Sequence, residues 1–201
     1  MNEGSSPKIP VLLEGFHAAD DFDCGDETLN TYLKKFAYII DLSLSNVKSP
    51  MLVTDEVWRF DILLGRKKVN NNQNSSARTY VAVRGERVVG YYTLTPGSVI
   101  KEDAPRRVGK GLANHPIPVI ILVRLAVDKT EQGAGLGKGL LRDALLRIIG
   151  AADIIGGRAI LVHAKDKSAK SFYEHFGFEP SPIDQFHLYL LLKDIKKTLG
   201  Y

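Results

Sequence analysis

The chain has 201 residues, 44% of them apolar and 25% charged, which suits one well-buried soluble core. Its net charge is +4 and its pI about 9.1, compatible with an anionic partner without requiring one. A lone cysteine, Cys24, excludes an intrachain disulfide framework. The first residues lack the basic-then-apolar pattern of a secretory signal, and the longest apolar stretch, Ile117 to Val127, is broken by Arg124 and too short for a bilayer span of about 20 residues. These features predict a cytoplasmic protein with no membrane association.

In chain order, residues 8–14 read as a short edge strand that tolerates Pro10. Asp23 to Thr28 carries capping and acidic residues, so a helix is expected to start near Asp26, with Leu29, Leu33, Phe36 and Ala37 at helical spacing. Cys24 is read as a small residue entering that helix. Thr54 to Gly65 has the cap, periodicity and stop of a further helix, and Asn70 to Ser76 is a polar loop. Strands are expected over 79–83 and 88–95 about a tight turn at Arg84 to Arg87, with Pro96 and Gly97 interrupting the second. A basic loop or short helix fills 101–116, followed by a central strand over Ile117 to Val127. Then come a helix over 135–149, a strand over 158–164, a helix over 168–176 and a final strand over 186–192. The order predicts a mixed α/β fold around one sheet.

Between the central strand and its helix lie Gly133, Gly135 and Gly137. Glycines let backbone amides turn toward an anion, and a helix N-terminus adds about half a positive charge. No Gly-Lys-Ser/Thr follows, so this is not a Walker loop, and the spacing fails the dinucleotide fingerprint. Downstream, Phe172 and Phe176 are one turn apart and read as core, Gly177 ends their helix, and Tyr173 points elsewhere. The five histidines lack metal-ligand spacing, so no metal is expected.

Two motifs carry a resemblance. Gln132-x-x-Gly135-x-Gly137 resembles the pyrophosphate loop of GNAT-type N-acetyltransferases, and Ala169-x-x-Phe-Tyr-x-x-x-Gly-Phe178 resembles their second signature, the match covering residues 77–192. The stretches beginning at Phe22, Asp128, Ala151 and Gly177 look most like the acetyltransferase toxins of bacterial type II toxin–antitoxin systems. The resemblance implies a GNAT-like fold with a mixed, mostly antiparallel sheet in a single domain over 1–201, with 38–76 an insertion and polar loop. It implies acetyl-CoA as co-substrate and the α-amino group of aminoacyl-tRNA as acceptor, blocking translation. It also implies a ribbon–helix–helix antitoxin and a homodimer. By position, Leu125, Ala126 and Val127 would bind the pantetheine arm. Gln132, Gly133, Gly135, Leu136, Gly137 and Lys138 would hold the pyrophosphate, and Tyr173 would be the general acid.

Arg78, Arg106, Arg107 and Lys110 are candidate contacts to tRNA phosphates. Many family members carry Asn where this chain has Asp166, which is therefore given no cofactor role. Arg124 either lines the acceptor cleft or is a paired structural arginine. Two other functions fit the same residues: acetylation of a small amine or protein N-terminus, and non-catalytic binding of CoA and tRNA.

Overall fold

The structure, a computed structural model, describes residues 9–14, 17–37, 77–113 and 115–199. The helix expected over 54–65 and the whole 38–76 segment lie outside those residues. Seven strands form one sheet in the order β1-β2-β3-β4-β5-β7-β6. They are β1 (Val11–Leu12), β2 (Arg78–Arg84), β3 (Arg87–Val99), β4 (Ile117–Val127), β5 (Ala159–His163), β6 (Glu179–Pro180) and β7 (His187–Leu191). The helices are α1 (Glu27–Thr31), continued by a π-helical turn over Tyr32–Ala37, α2 (Arg106–Gly109), α3 (Leu136–Ile155), α4 (Lys167–His175) and α5 (Leu192–Leu199). Among the described residues no helix is long and apolar enough to cross a membrane.

The chain clusters into two compact units, one running to Thr93 and including Arg124–Asp143, the other comprising Leu94–Val123 and the chain from Ala144 onward. In the first, β1 adds antiparallel to β2 with Val11 opposite Val81. Gly85 reverses the chain between β2 and β3 at φ +65°, the left-handed conformation that tight hairpins need. Asp26 caps α1 as expected, its carboxylate accepting from the amides of Thr28 and Leu29. The core of this unit gathers Leu13, Phe22, Leu33, Val81 and Tyr91. Fully burying an aliphatic or aromatic side chain such as Phe22 or Leu33 is worth about 1.5–3 kcal/mol.

In the second unit, β4 and β5 run parallel with Val119 opposite Ala159 and Leu122 opposite Val162, and β5 pairs antiparallel with β7. Val108 of α2 joins Ile117, Val119, Leu161, Tyr189 and Leu191 in its core. Arg158 fastens α2 by donating to the carbonyls of Val108 and Lys110, each at 2.9 Å.

Several boundaries move. The first strand is only Val11–Leu12. Pro96 and Gly97 do not interrupt β3, which continues to Val99. Pro96 is exposed there, and a Cβ at Gly97 would sit 2.6 Å from Ile121 Cδ1, so the glycine admits the Ile121 side chain. Helix α3 runs to Ile155, past Gly150, because Ile148, Ile149 and Ala151 are all buried and outweigh a helical glycine's penalty of about 1 kcal/mol. Leu192, expected to end the last strand, instead opens α5, where it and Ile195 are buried.

Replacing Asp26 with Ala should lower unfolding free energy by about 1 kcal/mol, and Asp26→Ser should recover most of it, as measured by urea denaturation.

Candidate active site

Strand β4 delivers the glycine loop through a fixed turn. Asp128 follows Val127 directly and is 2% exposed. Its carboxylate accepts from the Asp23 amide at 3.0 Å, the Thr130 amide at 3.0 Å, the Thr130 hydroxyl at 2.6 Å and Arg87 at 3.1 Å. Burial alone would push this carboxyl's pKa up. The hydrogen bonds from Thr130 and Asp23, with the Arg87 charge, outweigh burial and hold it below the ordinary value. The rest of the turn is tied down by Arg84, bidentate on Glu131 at 2.9 Å, and by the Lys129–Asp23 pair at 2.7 Å.

The Gln132 side chain, though exposed, folds back on the turn. Its amide nitrogen donates to the carbonyls of Cys24 at 3.1 Å and Val127 at 2.9 Å, so it braces the loop and leaves only backbone for a ligand. Gly133 and Gly135 have φ of +78° and +85°. A Cβ at either would meet nothing within 4 Å, so the requirement for glycine is the left-handed backbone and not lack of room. The Gly139 amide bonds back to the Gly135 carbonyl at 3.1 Å. The amides of Leu136, Gly137 and Lys138 therefore form the free first turn of a helix of 20 residues, beside an exposed Lys138. Such a turn is suited to an anion.

Gly90 sets the height of that helix. A Cβ there would come within 2.9 Å of Leu140 Cδ1 and 3.3 Å of both Leu136 Cδ2 and the Ala126 carbonyl. The glycine thus lets the α3 N-terminus settle onto the sheet. A lone glycine inside a β-branched strand was the available signal for it.

The parallel ladder registers its last pair at Leu122 and Val162, while β4 runs on to Val127. Leu125, Ala126 and Val127 lie on this continuation. Ala126 is buried in the core with Tyr32 and Tyr91, and Val127 gives its carbonyl to Gln132. Leu125 and Val127 are half-buried.

Tyr173 lies on α4. Asp166 caps this helix by accepting from the Ala169 amide at 2.8 Å. The helix ends where Phe176 and Phe178 both donate to the Tyr173 carbonyl and Gly177 turns at φ +84°. The expected facing is reversed. Tyr173 is 8% exposed, against Phe178 at 5.4 Å and Phe172 at 5.2 Å between ring centres, whereas Phe172 and Phe176 are only half-buried. Helical spacing alone could not choose which arc of so short a helix faces inward. Burial pushes the phenol pKa well above the usual tyrosine range. Among the described residues nothing hydrogen-bonds its hydroxyl, yet no fully buried polar side-chain atom lacks a partner. The hydroxyl tip is therefore not sealed in the core.

The basic candidates fall into different settings. Arg106 and Lys110 are exposed, on α2 and at its C-cap. Arg107 is held by Glu179 and Asp194, the latter at 2.7 Å. Arg78 is half-buried in β2. Cys24 is half-buried, its amide bonded to Asn30 and its thiol to the Asp26 carbonyl, as befits a helix-entry residue.

Residues 75–180 match the family model for the acetyltransferase (GNAT) domain. The chain belongs to the GNAT acetyltransferase family. It is an N-acetyltransferase that uses acetyl-CoA. It is 51% identical over 140 residues to a tRNA-acetylating toxin of Mycobacterium tuberculosis, a match covering 70% of this chain and 84% of that protein. Among solved structures it resembles AtaT complexed with acetyl-methionyl-tRNAfMet, with TM-score 0.69 and 23% identity over 92% of this chain and 93% of that one. It also resembles AtaTR bound with AcCoA, with TM-score 0.65 and 25% identity over 92% of each chain. The expected fold, a mixed and mostly antiparallel sheet flanked by helices, is thus borne out.

For this acetyltransferase, the depressed Asp128 pKa fixes a sign. The folded chain favours the ionised carboxylate, so its contribution is present above about pH 4 and is lost as pH falls through the carboxylate range. Asp128→Asn should lower stability near neutral pH by about 1–3 kcal/mol. Thermal melts from pH 7 to pH 3 should show the wild type converging on the variant as the solution is acidified.

Proposed function

We propose that this acetyltransferase moves the acetyl group of acetyl-CoA onto the α-amino group of aminoacyl-tRNA and thereby blocks translation. The observation that carries the acceptor assignment is the 51% identity to the mycobacterial tRNA-acetylating toxin, which extends over 84% of that protein. In this reading the free amides of Leu136, Gly137 and Lys138, with the loop backbone from Gln132 through Gly135, hold the pyrophosphate of the co-substrate. The backbone of Leu125, Ala126 and Val127 receives the pantetheine arm. Positive φ at Gly133 and Gly135, with open space around both, supports that fit.

The chemistry asks little of the protein. An α-amino group has a pKa near 8, so a substantial fraction is already neutral near physiological pH and attacks without a strong base. The C–N bond forms, the C–S bond breaks, the amine gives up its extra proton to solvent, and the thiolate must gain one. Tyr173 supplies that proton. Its burial keeps the phenol protonated across the whole working range, and its hydroxyl has no competing partner among the described residues. Arg106 and Lys110, with Arg78, contact tRNA phosphates; Arg107 does so only by exchanging Glu179 or Asp194 for the nucleic acid. The partner proteins in this reading are a ribbon–helix–helix antitoxin and a second copy of the chain. A solved relative, AtaT, has been seen bound to the C-terminus of its antitoxin AtaR, at 22% identity to this chain.

Labelled acetyl-CoA, offered together with charged tRNA, polyamines and ribosomal proteins, should label the charged tRNA. Labelling of another pool while charged tRNA stays blank overturns the acceptor assignment. Tyr173→Phe should reduce kcat by about a hundredfold or more with acetyl-CoA affinity nearly unchanged, measured by steady-state kinetics and calorimetry. Gly135→Val should do the opposite, weakening acetyl-CoA binding at least about tenfold, because a β-branched residue cannot hold φ +85°.

A further inference from the structure

We propose that Arg124, held over the ring of Tyr32, grips a phosphodiester of the acceptor next to its aminoacylated 3′ end. This rests on the aminoacyl-tRNA reading above and adds the residue that orients that acceptor. Arg124 interrupts an apolar strand and is half-buried, a placement that needs a compensating partner. Its guanidinium carbon lies 3.6 Å from the centre of the Tyr32 ring. Tyr32 is itself fixed. Its hydroxyl shares a hydrogen bond with Thr79 at 3.2 Å, Thr79 with Thr93 at 3.0 Å, and its ring stacks on Tyr91 at 6.1 Å. Tyr32 also opens the π-helical turn after α1, a distortion found frequently at functional sites.

Structural cations in the same unit look different. Arg84 has Glu131, Arg87 has Asp128, and Lys129 has Asp23. Among the described residues Arg124 has neither a carboxylate nor a carbonyl partner, and the ring of Tyr32 is what it packs on. Stacking occupies the face of a guanidinium and leaves the N–H donors on its edge for a ligand. That planar, weakly hydrated fork matches a phosphate bidentately. The chemistry of the acceptor narrows the choice. The α-carboxyl beside the reacting amine is esterified and carries no charge, so the nearest anions are the phosphodiesters of the terminal nucleotides. Arg124 also lies three strand residues before Val127, about 10 Å along β4. This separates it from the loop to which the co-substrate's pyrophosphate is assigned.

The test compares two acceptors bearing the same amino acid: an aminoacylated CCA oligonucleotide and the phosphate-free methyl ester. Arg124→Met should raise KM for the oligonucleotide by about tenfold to a hundredfold while changing KM for acetyl-CoA by less than about twofold. The loss on the methyl ester should be at least about tenfold smaller. The slope of log KM against log salt for the oligonucleotide should fall by about 0.7, the value for one contact to a single strand. Arg124→Lys should keep that slope and recover only part of the affinity. Equal losses on both acceptors, with a lowered melting temperature, would make Arg124 structural and overturn the proposal, as would a rise in acetyl-CoA KM. An oligonucleotide acetylated equally well by Arg124→Met overturns it alone. If the wild type acetylates neither acceptor, the aminoacyl-tRNA reading and this proposal fall together.

Discussion

The glycine loop depends on one buried carboxylate. Asp128 sits where β4 ends, and its oxygens collect donors from a segment 105 residues away in sequence, from the start of strand β3 and from its own turn. A buried charge is tolerable only when its hydrogen-bonding capacity is met, and here it is met by the parts that have to be brought into register. The chain entering α1, strand β3 and the start of the loop are thereby fixed to a common point. Gln132 repeats the arrangement from the other side of the turn, joining the Cys24 carbonyl to the Val127 carbonyl. The loop is thus shaped by its own contacts, which would leave little ordering to be done on binding a ligand.

In the proposed reading, backbone and side chain divide the work. Anion recognition is assigned to amides, which are indifferent to pH in the working range. Proton donation is assigned to a tyrosine whose burial raises its pKa. A buried phenol is a weak acid toward water, and the reaction proposed for it supplies a thiolate base only at the moment of need. The two requirements call for opposite surroundings. The loop is open to solvent, with Gln132 through Gly135 exposed, whereas Tyr173 is held between Phe172 and Phe178.

The basic residues differ in the same practical way. Arg107 is compensated by two carboxylates, and Arg158 spends its donors on the carbonyls of α2. Arg106 and Lys110 extend from the helix that Arg158 fastens. Counting positive charges along the chain cannot separate these roles, because each depends on what folds up beside it.

Read alone, the sequence determined whatever is coded by neighbours a few residues apart. The Asp26 cap, the β4 strand, the reversal at Gly85 and the glycine-to-helix step follow from periodicity, capping and backbone freedom, all of which act locally. Only the tertiary structure decided what depends on distant partners. Tyr173 turned inward and its neighbouring phenylalanines half outward because Phe178 returns over the helix end. Leu192 left the last strand because a second apolar face, shared with Ile195, had somewhere to pack. Gly90 was needed because α3 lies directly above it, and Asp128 was more than part of a charged turn because Asp23 and Arg87 come from elsewhere in the chain. Arg124 gave the clearest case. Its sequence context could not say that its partner among the described residues would be the Tyr32 ring and not a carboxylate, because Tyr32 comes from the other end of the unit.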